Sequence, residues 1–185
     1  MNDHKARLAK LLMEKSYVAG EITLSSGRKS DYYFDCKQTA YHPEGAWLLG
    51  NLLLDALDGL DVDGVGGLTL GADPLVTAVN VVSYERGTPL PGFIVRKEAK
   101  GHGTGRFVEG AANLAPGARV AVLEDVVTSG GSVLKAVERI REAGFEVACV
   151  VAVLDRHEGG TEALADAGLD LRSLFTRPEL VEAGG

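Results

Sequence analysis

Two adjacent carboxylates, Glu124 and Asp125, stand just ahead of a run of small donors, Thr128-Ser129-Gly130-Gly131-Ser132. A hydroxyl- and glycine-rich turn that opens a helix attracts anions for a definite reason. The first N–H groups of a helix lack intrahelical partners, and the aligned peptide dipoles leave partial positive charge there. Glycine lets the backbone approach a ligand closely, and the hydroxyls add donors. A phosphate monoester therefore fits Thr128 to Ser132. Carboxylates repel phosphate, so Glu124 and Asp125 suit hydroxyl groups or a metal ion instead. A ribose 5-phosphate satisfies both halves. The residues alone leave a plainer alternative open, a serine-rich turn that merely caps a helix.

Something must hold these groups in place. Val120 to Leu123 is a continuous apolar run, as expected of a strand buried on both faces, and it ends at the two carboxylates. After the turn, Val133, Ala136, Val137 and Ile140 recur at helical spacing, and Gly144 marks a stop. The same strand–turn–helix rhythm recurs. Val62 to Leu70 leads through Gly71-Ala72-Asp73-Pro74 into a helix bearing Leu75, Val76, Val79 and Val82. Phe93-Ile94-Val95 is another buried strand, and Val147 to Leu154 another, closing on Asp155-Arg156-His157. The fold class is α/β, a central mostly parallel sheet flanked by helices. In open parallel sheets ligands gather at the carboxyl ends of the strands. Arg96, Glu124 and Arg156 each stand at such an end, which predicts one shared site.

Around this frame, residues 4–15 read as an amphipathic helix, with Leu8, Leu11 and Leu12 on one side, broken by Gly20. Residues 21–35 suggest a hairpin, with Tyr32, Tyr33 and Phe34 in its second strand. These aromatics either close a small core or present a face to a flat base. Pro43 opens a helix that runs to Leu57. Residues 161–168 form a short helix, Leu169 to Leu174 a last edge strand, and Pro178 onward a short terminal helix.

A second charged stretch follows the strand at Val95. Arg96, Lys97, Lys100, His102 and Arg106 crowd into a span spaced by glycines. It is too rich in glycine for a stable helix and too cationic for burial. Such a run is either a solvated loop or a mobile cover for a highly charged leaving group.

Composition bounds the possibilities. The chain has 185 residues, 45% hydrophobic and 24% charged, ordinary for one soluble domain spanning 1–185. Its formal charge of −7 argues against nucleic acid as a partner. No apolar segment approaches a membrane span, so no membrane partner is expected either. Cys36 and Cys149 lie far apart without metal-ligand spacing, consistent with buried free thiols in a cytoplasmic protein.

The motif E-D-V-V-T-S-G-G-S resembles the phosphoribosyl-pyrophosphate signature of the type I phosphoribosyltransferases. R-K-E-A-K-G-H-G, Arg96 to Gly103, is similar to the signature loop of orotate phosphoribosyltransferases. Thr23, Ser26-Gly27-Arg28, Ser30, Tyr32, Tyr33 and Phe34 follow that family's hood fingerprint. The resemblance implies that residues 17–40 form a small N-terminal hood over the base, with Tyr33 and Phe34 bordering the orotate ring. It gives Arg156 the orotate carboxylate, and Thr128, Ser129, Gly130, Gly131 and Ser132 the 5-phosphate. Glu124 and Asp125 take the ribose hydroxyls. Arg96, Lys97, Lys100 and His102 line the loop over the diphosphate, with Lys100, His102 and Asp125 as catalytic groups. Mg²⁺ is the implied cofactor, bridging ligand oxygens, and no side chain is assigned as a metal ligand. A homodimer with shared active sites is implied as well. The chain departs from the pattern twice: Ser25-Ser26 and Gly71-Ala72 stand where many members carry a lysine.

The implied reaction moves ribose 5-phosphate from phosphoribosyl pyrophosphate to orotate, giving orotidine 5′-monophosphate and diphosphate. Two other readings share the 124–132 motif. One is a purine or uracil phosphoribosyltransferase, which lacks the 96–103 signature. The other is a ligand-sensing regulator, for which this acidic chain has no spare nucleic-acid module.

Overall fold

A computed structural model describes residues 3–23, 29–99 and 107–184, with only the backbone at 22, 23 and 30. The chain begins with α1 (Asp3–Lys15), β1 (Tyr17–Thr23), β2 (Lys29–Phe34), α2 (Cys36–Ala40) and α3 (Pro43–Asp55). Next come β3 (Gly64–Leu68), α4 (Ala72–Glu85), β4 (Gly92–Val95) and β5 (Val108–Glu109). It closes with β6 (Arg119–Val127), α5 (Gly131–Glu142), β7 (Glu146–Asp155), α6 (Gly160–Asp166), β8 (Leu171–Thr176) and α7 (Arg177–Gly184).

The six-stranded sheet has the order β5-β4-β3-β6-β7-β8. Its strands pair in parallel except for β5, which runs antiparallel to β4 at one edge. The chain winds outward from β3 to one side, then returns to lay β6 against β3 and winds to the other. That reversal opens a crevice beyond the carboxyl ends of β3 and β6. Strand order was not legible in the sequence, and it is what brings the Gly71 turn beside Asp125.

Alternation along β6 divides the core. Ala121 and Leu123 join the cluster built on α1, α3 and α4, whereas Val120 and Val122 join the cluster under α5. All four are fully buried, each stabilising the sheet by roughly 1 to 3 kcal/mol through lost apolar contact with water. The strand carrying the acids is thus gripped on both faces.

Several boundaries differ from expectation. The β6 strand does not stop at the carboxylates; Val126 and Val127 keep pairing with Leu154 and Asp155 of β7, so Glu124 and Asp125 lie within the strand. The β3 strand is shorter than 62–70: registered pairing with β6 begins at Gly64 opposite Val120, and pairing with β4 ends at Leu68 opposite Val95. The hairpin starts earlier than Glu21, with Gly20 absorbed where the register shifts between Ala19 and Ile22. Unforeseen elements are α2, whose first turn is capped by the Asp35 side chain accepting from the Lys37 N–H, and the two-residue β5. Both are too short for periodicity to reveal. Both cysteines are free and buried.

Candidate active site

The phosphate turn has the expected form. Gly130 takes φ +79, a left-handed conformation that disfavours other residues, and it starts α5 at Gly131. Glycine at the cap position makes no side-chain cap hydrogen bond among the described residues, which leaves the first N–H groups of α5 without that partner. Thr128, Ser129, Gly131 and Ser132 lie around the same turn, and Ser129, Gly131 and Ser132 are exposed. The adjoining strand is close by: the Arg156 N–H donates to the Val127 carbonyl at 3.0 Å, which sets the end of β7 beside the turn.

The two carboxylates have different environments. Glu124 is 6% exposed, and its Oε2 has no hydrogen-bond partner among the described residues. Burial first, and the charge of Asp125 second, push its acid well above the ordinary carboxylate range, with the Lys97 ammonium opposing. Asp125 is half-buried, and its Oδ1 accepts from the Val126 N–H at 2.8 Å. Gly71, just before α4, lies directly against it: a β-carbon there would stand 2.7 Å from Asp125 Cγ. Glycine at position 71, read in the sequence as a missing lysine, is therefore required by the carboxylate's seat. A second acid flanks this turn. Asp73 accepts from the Thr69 hydroxyl at 3.2 Å through Oδ1, while its buried Oδ2 is unpartnered among the described residues.

Arg96 and Lys97 follow β4 on the next strand. They help line a cavity of about 550 Å³ with Thr69, Asp73, Ile94 and Glu109. The Arg96 guanidinium lies 3.3 Å from Glu109 Oε1. Lys97 is exposed. Lys100 and His102, with the rest of 100–106, lie outside the described residues, as do Ser25, Ser26, Gly27 and Arg28 of the hood turn.

At the far side, the Arg156 side chain is only 9% exposed, and its Nε meets Glu158 Oε1 at 2.8 Å. Its guanidinium lies 4.4 Å from the centre of the Tyr32 ring, and that of Arg177 lies 4.0 Å from it. Arg177 also pairs with Asp31 at 2.5 Å. The hairpin aromatics separate: Tyr33 is 44% exposed, whereas Phe34 is 8% exposed and packs into the core. Tyr32, fully buried and stacked on Tyr17 at 5.1 Å, is the aromatic that meets Arg156. Sequence reasoning missed Tyr32 and Arg177 as neighbours of the site. Alternation could have hinted at Tyr32, but nothing local pairs the last helix with the hairpin.

The described residues therefore bring Glu124, Asp125, the 128–132 turn, Arg96, Lys97 and Arg156 to one edge of the sheet. No group of three or more His, Cys, Asp or Glu that could hold a metal ion occurs among them. A hard divalent cation would take few protein ligands there and rely on ligand oxygens and water. The orphaned, buried Glu124 oxygen and the carboxylate of Asp125 fit such a hydrated ion or the sugar hydroxyls around it.

Comparison with known proteins agrees with this geometry. Residues 66–168 match the phosphoribosyl transferase domain. The orotate phosphoribosyltransferase of Sorangium cellulosum is 48% identical over 178 residues, covering 96% of this chain and 93% of that one. That of Thermosynechococcus vestitus is 51% identical over 178 residues, with the same coverage of both chains. The crystal structure of the Mycobacterium tuberculosis enzyme in complex with 5-phospho-alpha-D-ribosyl 1-diphosphate superposes with a TM-score of 0.81 at 37% identity, covering 96% of this chain and 99% of that one. At 48% and 51% identity over nearly its whole length, the chain belongs to the orotate phosphoribosyltransferase family.

Proposed function

We propose that this chain transfers ribose 5-phosphate from phosphoribosyl pyrophosphate to orotate, releasing diphosphate. The observation that carries the reading is one strand–turn–helix that joins a carboxylate pair to an uncapped helix N-terminus. Breaking the bond between C1 and the diphosphate oxygen leaves positive charge on the ribose ring and negative charge on the leaving group. The orotate nitrogen attacks, so no protein nucleophile is required. The protein's task is to position two ligands and stabilise separating charge.

In this reading the N–H groups and hydroxyls of Thr128 to Ser132 hold the 5-phosphate. Glu124 and Asp125 accept from the ribose hydroxyls and stabilise the cationic ring; a carboxylate at 125 is already aligned by the Val126 N–H. Arg156, braced by Glu158 and Tyr32, takes the orotate carboxylate, with exposed Tyr33 on the base side of the hood and Phe34 packed beneath it in the core. Arg96, Lys97, Lys100 and His102 serve the diphosphate, Lys100 as proton donor. Mg²⁺, where bound, supplies charge neutralisation to the diphosphate oxygens. Buried free thiols support a cytoplasmic setting, and no described helix is long and apolar enough to cross a membrane. Exposed Tyr41, Trp47, Val81 and Tyr84 on and beside α3 and α4 support a homodimer, which light scattering tests; shared active sites would show as activity restored on mixing two inactive variants.

The test is a spectroscopic assay of orotate consumption with phosphoribosyl pyrophosphate and Mg²⁺, run beside uracil and hypoxanthine. Turnover of orotate alone is expected. Preference for either other base would overturn the reading.

A further inference from the structure

We propose that Arg139 is a positioning residue for the cationic segment, a clamp on its stem that fixes Lys97 and ties both arms to the phosphate-binding helix. The proposal rests on the reading that residues 96–103 serve the diphosphate.

The β4 and β5 strands form an antiparallel pair with Ile94 opposite Glu109 and Val95 opposite Val108. The Arg96 N–H then donates to the Phe107 carbonyl at 2.7 Å and closes the stem. The next acceptors on the outgoing arm, the carbonyls of Arg96 and Lys97, are both met by one side chain from α5. Arg139 Nη1 donates to the Arg96 carbonyl at 2.5 Å, and Nη2 to the Lys97 carbonyl at 3.0 Å. The same guanidinium lies 4.2 Å from the centre of the Phe107 ring on the returning arm. One planar cation therefore touches both arms.

Geometry makes arginine the suitable residue. Its rigid fork can bond two carbonyls while its flat face stays on a ring, whereas an ammonium offers a single point of charge. Arg139 stands about two turns along α5 from Gly131. A single helix thus carries the phosphate turn at its start and the stem clamp near its end. Lys97 also acts electrostatically on buried Glu124, so its placement is registered at the acid pair. Arg139 touches no proposed ligand atom; it acts through Lys97 and the residues that follow.

The experiment compares Arg139→Met, Arg139→Lys and Lys100→Met with Arg141→Met, which removes an exposed charge from the same helix turn. Steady-state turnover and thermal midpoints are measured for each full-length protein. Arg139→Met is expected to lower kcat on the order of ten- to a hundredfold, as small misplacements of charged groups do, with KM for orotate within about twofold. Its melting midpoint should stay within a few degrees of the parent. Arg139→Lys should fall between the two, and Arg141→Met should match the parent. Near-normal kcat in Arg139→Met beside an impaired Lys100→Met overturns the clamp alone. So does a loss of activity that merely tracks loss of folded protein. Full activity in Lys100→Met overturns the diphosphate reading and the clamp with it.

Discussion

Gly71→Ala isolates the position of Asp125 from everything else in the site. Gly71 has φ −65 and ψ −40, helical values that alanine adopts without strain. The added β-carbon would stand 2.7 Å from Asp125 Cγ and 2.8 Å from each carboxylate oxygen, where ordinary contact begins at about 3.4 Å. The carboxylate, held by a 2.8 Å bond from the Val126 N–H, must retreat by about 0.7 Å. Displacements near 1 Å cost up to about a hundredfold in rate, so kcat/KM for phosphoribosyl pyrophosphate should fall roughly ten- to a hundredfold. That corresponds to about 1.4 to 2.7 kcal/mol of lost transition-state stabilisation. Folding should change little, because Gly→Ala at a compatible conformation contributes about 0.4 to 1 kcal/mol that offsets the contact. Gly87→Ala gives the opposite signature. Gly87 has φ +76 with nothing near its absent β-carbon, so alanine should cost roughly 1 to 2 kcal/mol of stability and leave turnover intact. Steady-state kinetics and thermal melts separate the two. A Gly71→Ala protein with kcat/KM within about threefold of the parent would refute the claim that the seat of Asp125 sets the rate.

Other outcomes follow from the same structure. Glu124 holds its proton more tightly folded than unfolded, so its contribution to stability is fully present below about pH 4.5 and is lost as pH rises. Glu124→Gln should therefore raise the melting midpoint at pH 8 more than at pH 5 while lowering turnover; an equal shift at both would contradict the burial argument. Arg156→Met should raise KM for orotate far more than KM for phosphoribosyl pyrophosphate, and equal increases would remove Arg156 from the base subsite. Lys100→Ala should collapse turnover while phosphoribosyl pyrophosphate binding, read by calorimetry, survives. Asp125→Asn should weaken turnover far more than thermal stability, whereas a loss chiefly of stability would favour the helix-capping reading of the motif.

The parts legible in the sequence are those that local chemistry dictates. Apolar runs such as Val120 to Leu123 and Val147 to Leu154 announce buried strands, and the Thr128–Ser132 turn announces a helix start. What was hidden depends on partners distant along the chain. The strand reads as ending at the two carboxylates because nothing nearby shows that β7 will pair with Val126 and Val127. Gly71 read as a lost cation because its contact, Asp125, comes from another strand. Tyr32 sits in a run of three aromatics, and only the fold shows that it, between Arg156 and Arg177, is the one that meets the end of β7. Arg139 belongs to an ordinary amphipathic helix until the stem of β4 and β5 is laid across it.

All of these readings converge on where the sugar phosphate rests, and a crystal structure with phosphoribosyl pyrophosphate and Mg²⁺ measures that directly. The 5-phosphate should lie within hydrogen-bond distance of the Gly130 to Ser132 amides, with the ribose hydroxyls on Glu124 and Asp125. A 5-phosphate seated instead beside Arg96 and Lys97, with the acid pair left without contacts, would contradict the assignment.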